Sequence, residues 1–133
     1  MELNPTKPRV LLVDDSERVL RAVSRLLETE FNVVGYAYDG AEAIKSAIRL
    51  KPDAVVMDIV MPRLDGIQAT RRLSQMNSPT KTVVLSGLED QDFVEASLGA
   101  GASGFVFKSC MVRDLSLAIH EALAGRVFVS TRP

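Results

Sequence analysis

Short unbroken apolar runs recur along the chain, each followed by polar residues and then by a helical stripe. Val10-Leu11-Leu12-Val13 is the first, and Ala54-Val55-Val56-Met57, Thr82-Val83-Val84-Leu85 and Gly104-Phe105-Val106-Phe107 repeat it. Continuous runs of this length suit strands buried on both faces. Phe31-Asn32-Val33-Val34-Gly35-Tyr36 is a further, more polar strand segment. Between the runs the apolar period changes from continuous to helical. Val19, Leu20, Val23, Leu26 and Leu27 share one helical face; Ala41, Ile44, Ala47 and Ile48 share another, which stops at Lys51-Pro52. Asp39 with Glu42, and Asp65 with Gln68 before Ile67, Ala69 and Leu73, have the spacing of capping boxes. Phe93, Val94, Ser97 and Leu98 form a fourth face ending at Gly99 or Gly101. Val112, Leu115, Ala118, Ile119 and Leu123 form a fifth, ending at Gly125.

Strand and helix therefore alternate five times. That order predicts an α/β domain: a doubly wound, five-stranded parallel sheet with helices on both faces, joined by right-handed crossovers. The four apolar strands, first, third, fourth and fifth, are the ones expected to be buried. Sheets of this kind bind ligands beyond the carboxyl ends of their strands, at the switch point in strand order. The polar residues that follow each run are thus the candidates for chemistry.

Composition narrows the choices. The 133 residues are 47% hydrophobic and 25% charged with a net charge of −1, which fits one globular domain and offers no bulk attraction to nucleic acid or membrane. Cys110 is the sole cysteine, so no internal disulfide can form, and a reduced, cytoplasmic setting is expected. The first eight residues lack the apolar run of a signal peptide, and no stretch approaches the roughly 18 apolar residues that span a bilayer.

The strand ends carry Asp14-Asp15, Asp58, Ser86-Gly87 and Lys108-Ser109. In a parallel sheet these meet on one edge. Singly, each has a plainer reading: Asp15 or Ser16 as a helix cap, Asp58 and Ser86-Gly87 as loop chemistry, Lys108 as a solvated cation. Together they place three carboxylates, a hydroxyl and an ammonium around one cleft. The carboxylates repel and raise at least one pKa unless a hard divalent cation joins them. Oxygen donors without His or Cys suit Mg²⁺ and disfavour zinc.

In combination these pieces resemble the receiver domains of bacterial two-component response regulators. The resemblance rests on Val-Leu-Leu-Val-Asp-Asp at 10–15, Pro-Asp-Ala-Val-Val-Met-Asp-Ile-Val-Met-Pro at 52–62, Asp-Gly at 65–66, Val-Leu-Ser-Gly at 84–87 and Gly-Ala-Gly-Ala-Ser-Gly-Phe-Val-Phe-Lys at 99–108. It implies a flavodoxin-like sheet with strand order 2-1-3-4-5, a receiver domain over residues 9–125, a tail at 1–8, and a tail or linker to an absent output domain at 126–133. It implies that Asp58 accepts a phosphoryl group from a sensor histidine kinase. Asp15, Asp58 and the Val60 carbonyl would bind Mg²⁺, with Asp14 acting through water. Lys108 and Ser86 would engage phosphoryl oxygens, and Ser86 with Phe105 would form the switch. The face of the fourth helix, fifth strand and fifth helix would carry the change outward. Such a domain is a phosphorylated signalling element, and it catalyses only its own phosphorylation and slow dephosphorylation.

The tail from His120 to Pro133 resembles the lead into a LuxR-type helix-turn-helix, the NarL/FixJ-like subgroup. DNA contact would then need that missing domain, and a homodimer through the fourth or fifth helix is compatible with the resemblance. A stand-alone receiver acting through protein contacts is the alternative. A haloacid-dehalogenase phosphatase fits less well, because Val60 stands where it needs a second acid. A flavin carrier would need a hydroxyl-rich loop where Asp14-Asp15 stand. Ser109 replaces a proline frequent in the family, and without proline a cis bond there costs about 2.5–4 kcal/mol. Val60 and Leu88, two residues after Asp58 and Ser86, cannot orient an attacking water, so slow loss of phosphate is expected. His120 reads as a surface residue and Cys110 as packing.

Overall fold

In the computed structural model, which describes residues 6–132, strands and helices alternate along the chain. The order is β1 (Arg9–Val13), α1 (Glu17–Leu27), β2 (Asn32–Ala37), α2 (Gly40–Leu50), β3 (Ala54–Met57), α3 (Gly66–Gln75), β4 (Lys81–Ser86), α4 (Gln91–Gly99), β5 (Gly104–Phe107), a 3₁₀ turn (Lys108–Cys110), α5 (Met111–Leu123) and β6 (Phe128–Val129). All neighbouring strands pair in parallel. The sheet is six-stranded, ordered β2-β1-β3-β4-β5-β6. The expected 2-1-3-4-5 order is present, but the expectation of five strands is corrected to six. Phe128 and Val129 pair with Gly104 and Phe105. A strand of only two residues shows no alternation of its own, which is why it reads as tail.

Alternate residues of each buried strand point to opposite faces. Val10, Leu12, Val56, Val83, Leu85 and Val106 pack on one side with Leu20, Val23 and Leu27 of α1 and Leu115, Ala118, Ile119 and Ala122 of α5. Leu11, Val13, Val55 and Met57 face α2 and α3 on the other. Beside them Val84, Phe105 and Phe107 meet Ile59 and Val94, the latter from α4. The polar strand β2 sits at one edge, half-exposed along its middle.

Local chemistry sets the helix ends. Ser16 caps α1 by accepting from Val19 N at 3.3 Å. Asp65 and Gln68 complete a capping box at α3. Asp39 caps α2 through Glu42 N at 2.8 Å, but its other oxygen takes Arg63 Nε at 2.9 Å. Helix α2 ends on Lys51 in the left-handed conformation, just before Pro52.

Candidate functional site

Strand register brings the acids together. Asp14 N continues the ladder beyond β1 to Ala37 O at 3.1 Å, and Asp58 N reaches Val13 O at 3.0 Å. The two residues are therefore locked side by side at the carboxyl edge, and both side chains are buried. Asp15 is exposed beside them. One oxygen from each of Asp14, Asp15 and Asp58 lies within 4.8 Å of the others. Lys108, the first residue after β5, extends its half-buried ammonium to Asp14 Oδ2 at 3.0 Å and Asp58 Oδ2 at 3.5 Å. The sequence-selected Asp14, Asp15, Asp58 and Lys108 thus form one cluster.

Ser86 ends β4 on the same edge and is 1% exposed. Its hydroxyl oxygen accepts from Leu88 N at 2.9 Å, which closes a tight loop after the strand. Phe105 is fully buried in the α4-side core and meets Phe107 edge-on at 5.9 Å between centroids. Val60 lies in the loop after Asp58 with an exposed side chain. The path of that loop is set by Gly66 N, which donates to Ile59 O at 2.9 Å. Of the two cap candidates for α1, Ser16 rather than Asp15 takes the role, while Asp14 Oδ1 accepts from Ser16 N at 2.8 Å. The Lys108–Ser109 peptide is trans and opens a 3₁₀ turn.

Three carboxylates facing one ammonium leave the cleft negative. Burial pushes the Asp58 carboxyl up to about 6, and the Asp14 charge pushes the same way; Lys108 and the Ile59 amide only partly oppose this. Burial also disfavours charge on Lys108, but its hydrogen bond to Asp14 and the charges of Asp58 and Asp14 outweigh it and hold its pKa above the usual lysine value. An oxygen-only donor set with surplus negative charge fits a hard divalent cation such as Mg²⁺. In metal-free protein the Asp58 carboxyl is expected to titrate near pH 6, followed by ¹³C NMR. Lys108→Met is expected to raise that midpoint, because the opposing charge is gone; an unchanged or lower midpoint would contradict the electrostatics described.

Arg63 is a site-loop residue that sequence reasoning missed. Its backbone is left-handed (φ 67), and its guanidinium pairs with buried Asp39, tying the β3–α3 loop to the start of α2. No periodicity or motif spacing marks such a pair. His120 is half-exposed, bonded to Glu30 at 2.9 Å and packed on the Phe31 ring. Cys110 is buried. A cavity of about 490 Å³ lies at the opposite end of the sheet between Ile48, Lys51, Met76 and Lys81, away from the acids at the strand edge. Among the described residues no helix is long and apolar enough to cross a membrane.

Comparison with known proteins gives the same picture. The response regulator receiver domain family matches residues 10–120. The transcriptional regulatory protein LiaR of Bacillus subtilis is 37% identical over 119 residues, which is 88% of this chain and 56% of that protein. This chain therefore spans little more than half of that relative. A LuxR-family two-component response regulator from Aurantimonas superposes with a TM-score of 0.88 at 35% identity, covering 92% of this chain and 89% of that one. The signal receiver domain of the NarL response regulator of Mycobacterium tuberculosis gives 0.87 at 31% identity over 92% of this chain and all of that one (100%). With a family match that runs from the first strand into the last helix, the chain belongs to the response regulator receiver family and is the receiver domain of a two-component response regulator.

Proposed function

We propose that Asp58 is the phosphoacceptor of this receiver and that a phosphohistidine of a sensor kinase is the donor. One observation carries the assignment. Lys108 reaches both Asp14 and Asp58 in a single buried acidic cleft at the carboxyl edge of the sheet. An Asp58 oxygen attacks phosphorus, the P–N bond breaks, and its electron pair stays on the imidazole nitrogen, which takes up a proton. The product is an acyl phosphate on Asp58. Such a transfer depends on positioning and charge neutralisation more than on covalent help.

Asp15, Asp58 and the Val60 carbonyl would hold Mg²⁺, with Asp14 acting through water; when bound, the ion neutralises charge on the phosphoryl oxygens. Lys108 pairs with one phosphoryl oxygen. Ser86 turns its hydroxyl from Leu88 N to donate to another. Phe105 is the switch aromatic, and its inward position here is the reference from which the α4–β5–α5 face changes. Transcriptional control through a DNA-binding domain outside this chain is the output we favour, supported by the relatives being transcription regulators. Dimerisation through α4 or α5 is compatible with it.

Acetyl phosphate with Mg²⁺ should add the mass of one phosphoryl group, and the modified residue should map to Asp58. No mass gain, or a gain at another residue, would overturn the assignment. Turnover of simple phosphate esters would favour a hydrolase instead. The mark should also last. Val60 is exposed and apolar two residues beyond Asp58, and Leu88 lies two beyond Ser86, so neither can align a water for attack. After donor removal, mass spectrometry should follow loss of the phosphoryl group over many minutes, and a half-life of seconds would refute this.

A further inference from the structure

The outer edge of β5 is occupied by the chain's own C-terminal segment. Phe128 N donates to Ser103 O at 3.2 Å and Ser130 N to Phe105 O at 2.8 Å. A buried clasp reinforces this ladder. Phe107 N donates to Ser130 Oγ at 3.2 Å, and that hydroxyl donates to Asp114 Oδ2 at 2.7 Å. Both Ser130 and Asp114 are 4% exposed. Arg113 Nε meets the other Asp114 oxygen at 2.7 Å, while Arg113 Nη2 reaches Thr131 O at 3.0 Å. Further along, Arg132 Nη2 donates to Glu89 O at 3.3 Å, and its Nε lies 3.5 Å from Glu89 Oε1. The other Glu89 oxygen accepts from Ser109 Oγ at 3.0 Å.

Glu89 is thus held between the C-terminal segment and both arms of the phosphorylation site. It follows Leu88, whose amide is bonded to Ser86 Oγ, and it touches Ser109, which follows Lys108. We propose that phosphorylation of Asp58 loosens, through Glu89, the docking of residues 128–132 on the outer edge of β5. The proposal rests on Asp58 being the phosphoacceptor. When Ser86 turns to the phosphoryl group it releases Leu88 N, so the backbone at 88–89 loses the bond that fixes its turn. Lys108 moves toward the same group and carries Ser109 with it. The grip of Glu89 on Arg132 then fails, while the β5 ladder, the Ser130 clasp and the Arg113 bond to Thr131 O still hold the strand. Because those remain, the strand opens more often without detaching fully.

Residue-resolved hydrogen exchange reads this directly, on protein held phosphorylated by excess acetyl phosphate and Mg²⁺ and checked by intact mass. The Ser130 and Phe128 amides are expected to exchange about tenfold faster on phosphorylation, with β1 amides unchanged. Arg132→Ala should raise their exchange before phosphorylation and reduce the further effect to less than about threefold, since Glu89 no longer grips the strand. Failure to gain mass overturns the phosphoacceptor assignment and this proposal together. A full mass gain with Ser130 exchange unchanged or slowed in the unmutated chain overturns the docking proposal alone. An Arg132→Ala protein that keeps the full tenfold response removes Glu89 as the route and overturns it as well.

Discussion

Asp58→Asn is expected to take up no phosphoryl group from acetyl phosphate and, in metal-free buffer at pH 8, to be more stable than the parent by about 1–3 kcal/mol. The first result follows from the proposed role of Asp58 as the nucleophile. The second follows from the sign of the pKa shift. The folded-state pKa of Asp58 is raised, from 3.8 to about 6. Its favourable contribution is therefore fully present below about pH 4 and is lost as pH rises through about 6. Above that, the native state carries a charge that its surroundings disfavour, whereas the amide of the variant stays neutral. Urea unfolding of both proteins from pH 4 to 8 tests this. The curves should converge near pH 4 and separate above pH 6. Added Mg²⁺ should stabilise the parent more than the variant. If Asp58 were simply a structural carboxylate satisfied by Ile59 N, removing its charge would destabilise the fold at pH 8, the opposite sign.

Gly66→Ala is expected to cost about 3 kcal/mol or more and to abolish phosphorylation. A methyl at Gly66 would sit 1.8 Å from Asp58 O, 2.7 Å from its carbonyl carbon and 2.9 Å from Ile59 Cα. All three are backbone atoms, so no side-chain rotation relieves the clash. Either the first turn of α3 or the strand end carrying Asp58 must move, and the Gly66 N to Ile59 O bond goes with it. Gly87 and Gly99 provide controls, because a Cβ there meets nothing within 4 Å. Thermal unfolding and intact mass after acetyl phosphate treatment check both effects. A Gly66→Ala protein with parental stability and full phosphorylation would show that the loop after Asp58 adapts freely.

Much of this architecture was legible because burial on both faces leaves a plain mark. The runs at Val10, Ala54, Thr82 and Gly104 could not be solvated strands, and each ends within a residue of the polar cluster at the sheet edge. The site was legible for a related reason: parallel strands deliver Asp14, Asp58, Ser86 and Lys108 to one edge whatever the loops do. What depended on loop paths was not legible. Arg63 finds Asp39 across 24 residues only because its own backbone is left-handed. Arg132 finds Glu89 across 43 residues only because Phe128 and Val129 have joined the sheet. A two-residue strand supported by one buried hydroxyl carries no period to detect. The Ser86 hydroxyl likewise has a partner, Leu88 N, that local sequence does not announce.

The sixth strand also bears on how this domain stays apart from its neighbours. Sheet edges invite pairing with other chains unless they are polar, irregular or covered. The β2 edge is half-exposed, and its register against β1 slips between Val10 and Leu11. By contrast β5, Gly-Phe-Val-Phe, is buried throughout and apolar. Stripped of residues 128–132 it would present the kind of flat, apolar backbone edge that recruits further strands. The short strand covers that edge, and the polar Ser130-Thr131-Arg132 that follow it replace an apolar border with a polar one, so the segment proposed to respond to phosphorylation is also the one that shields β5.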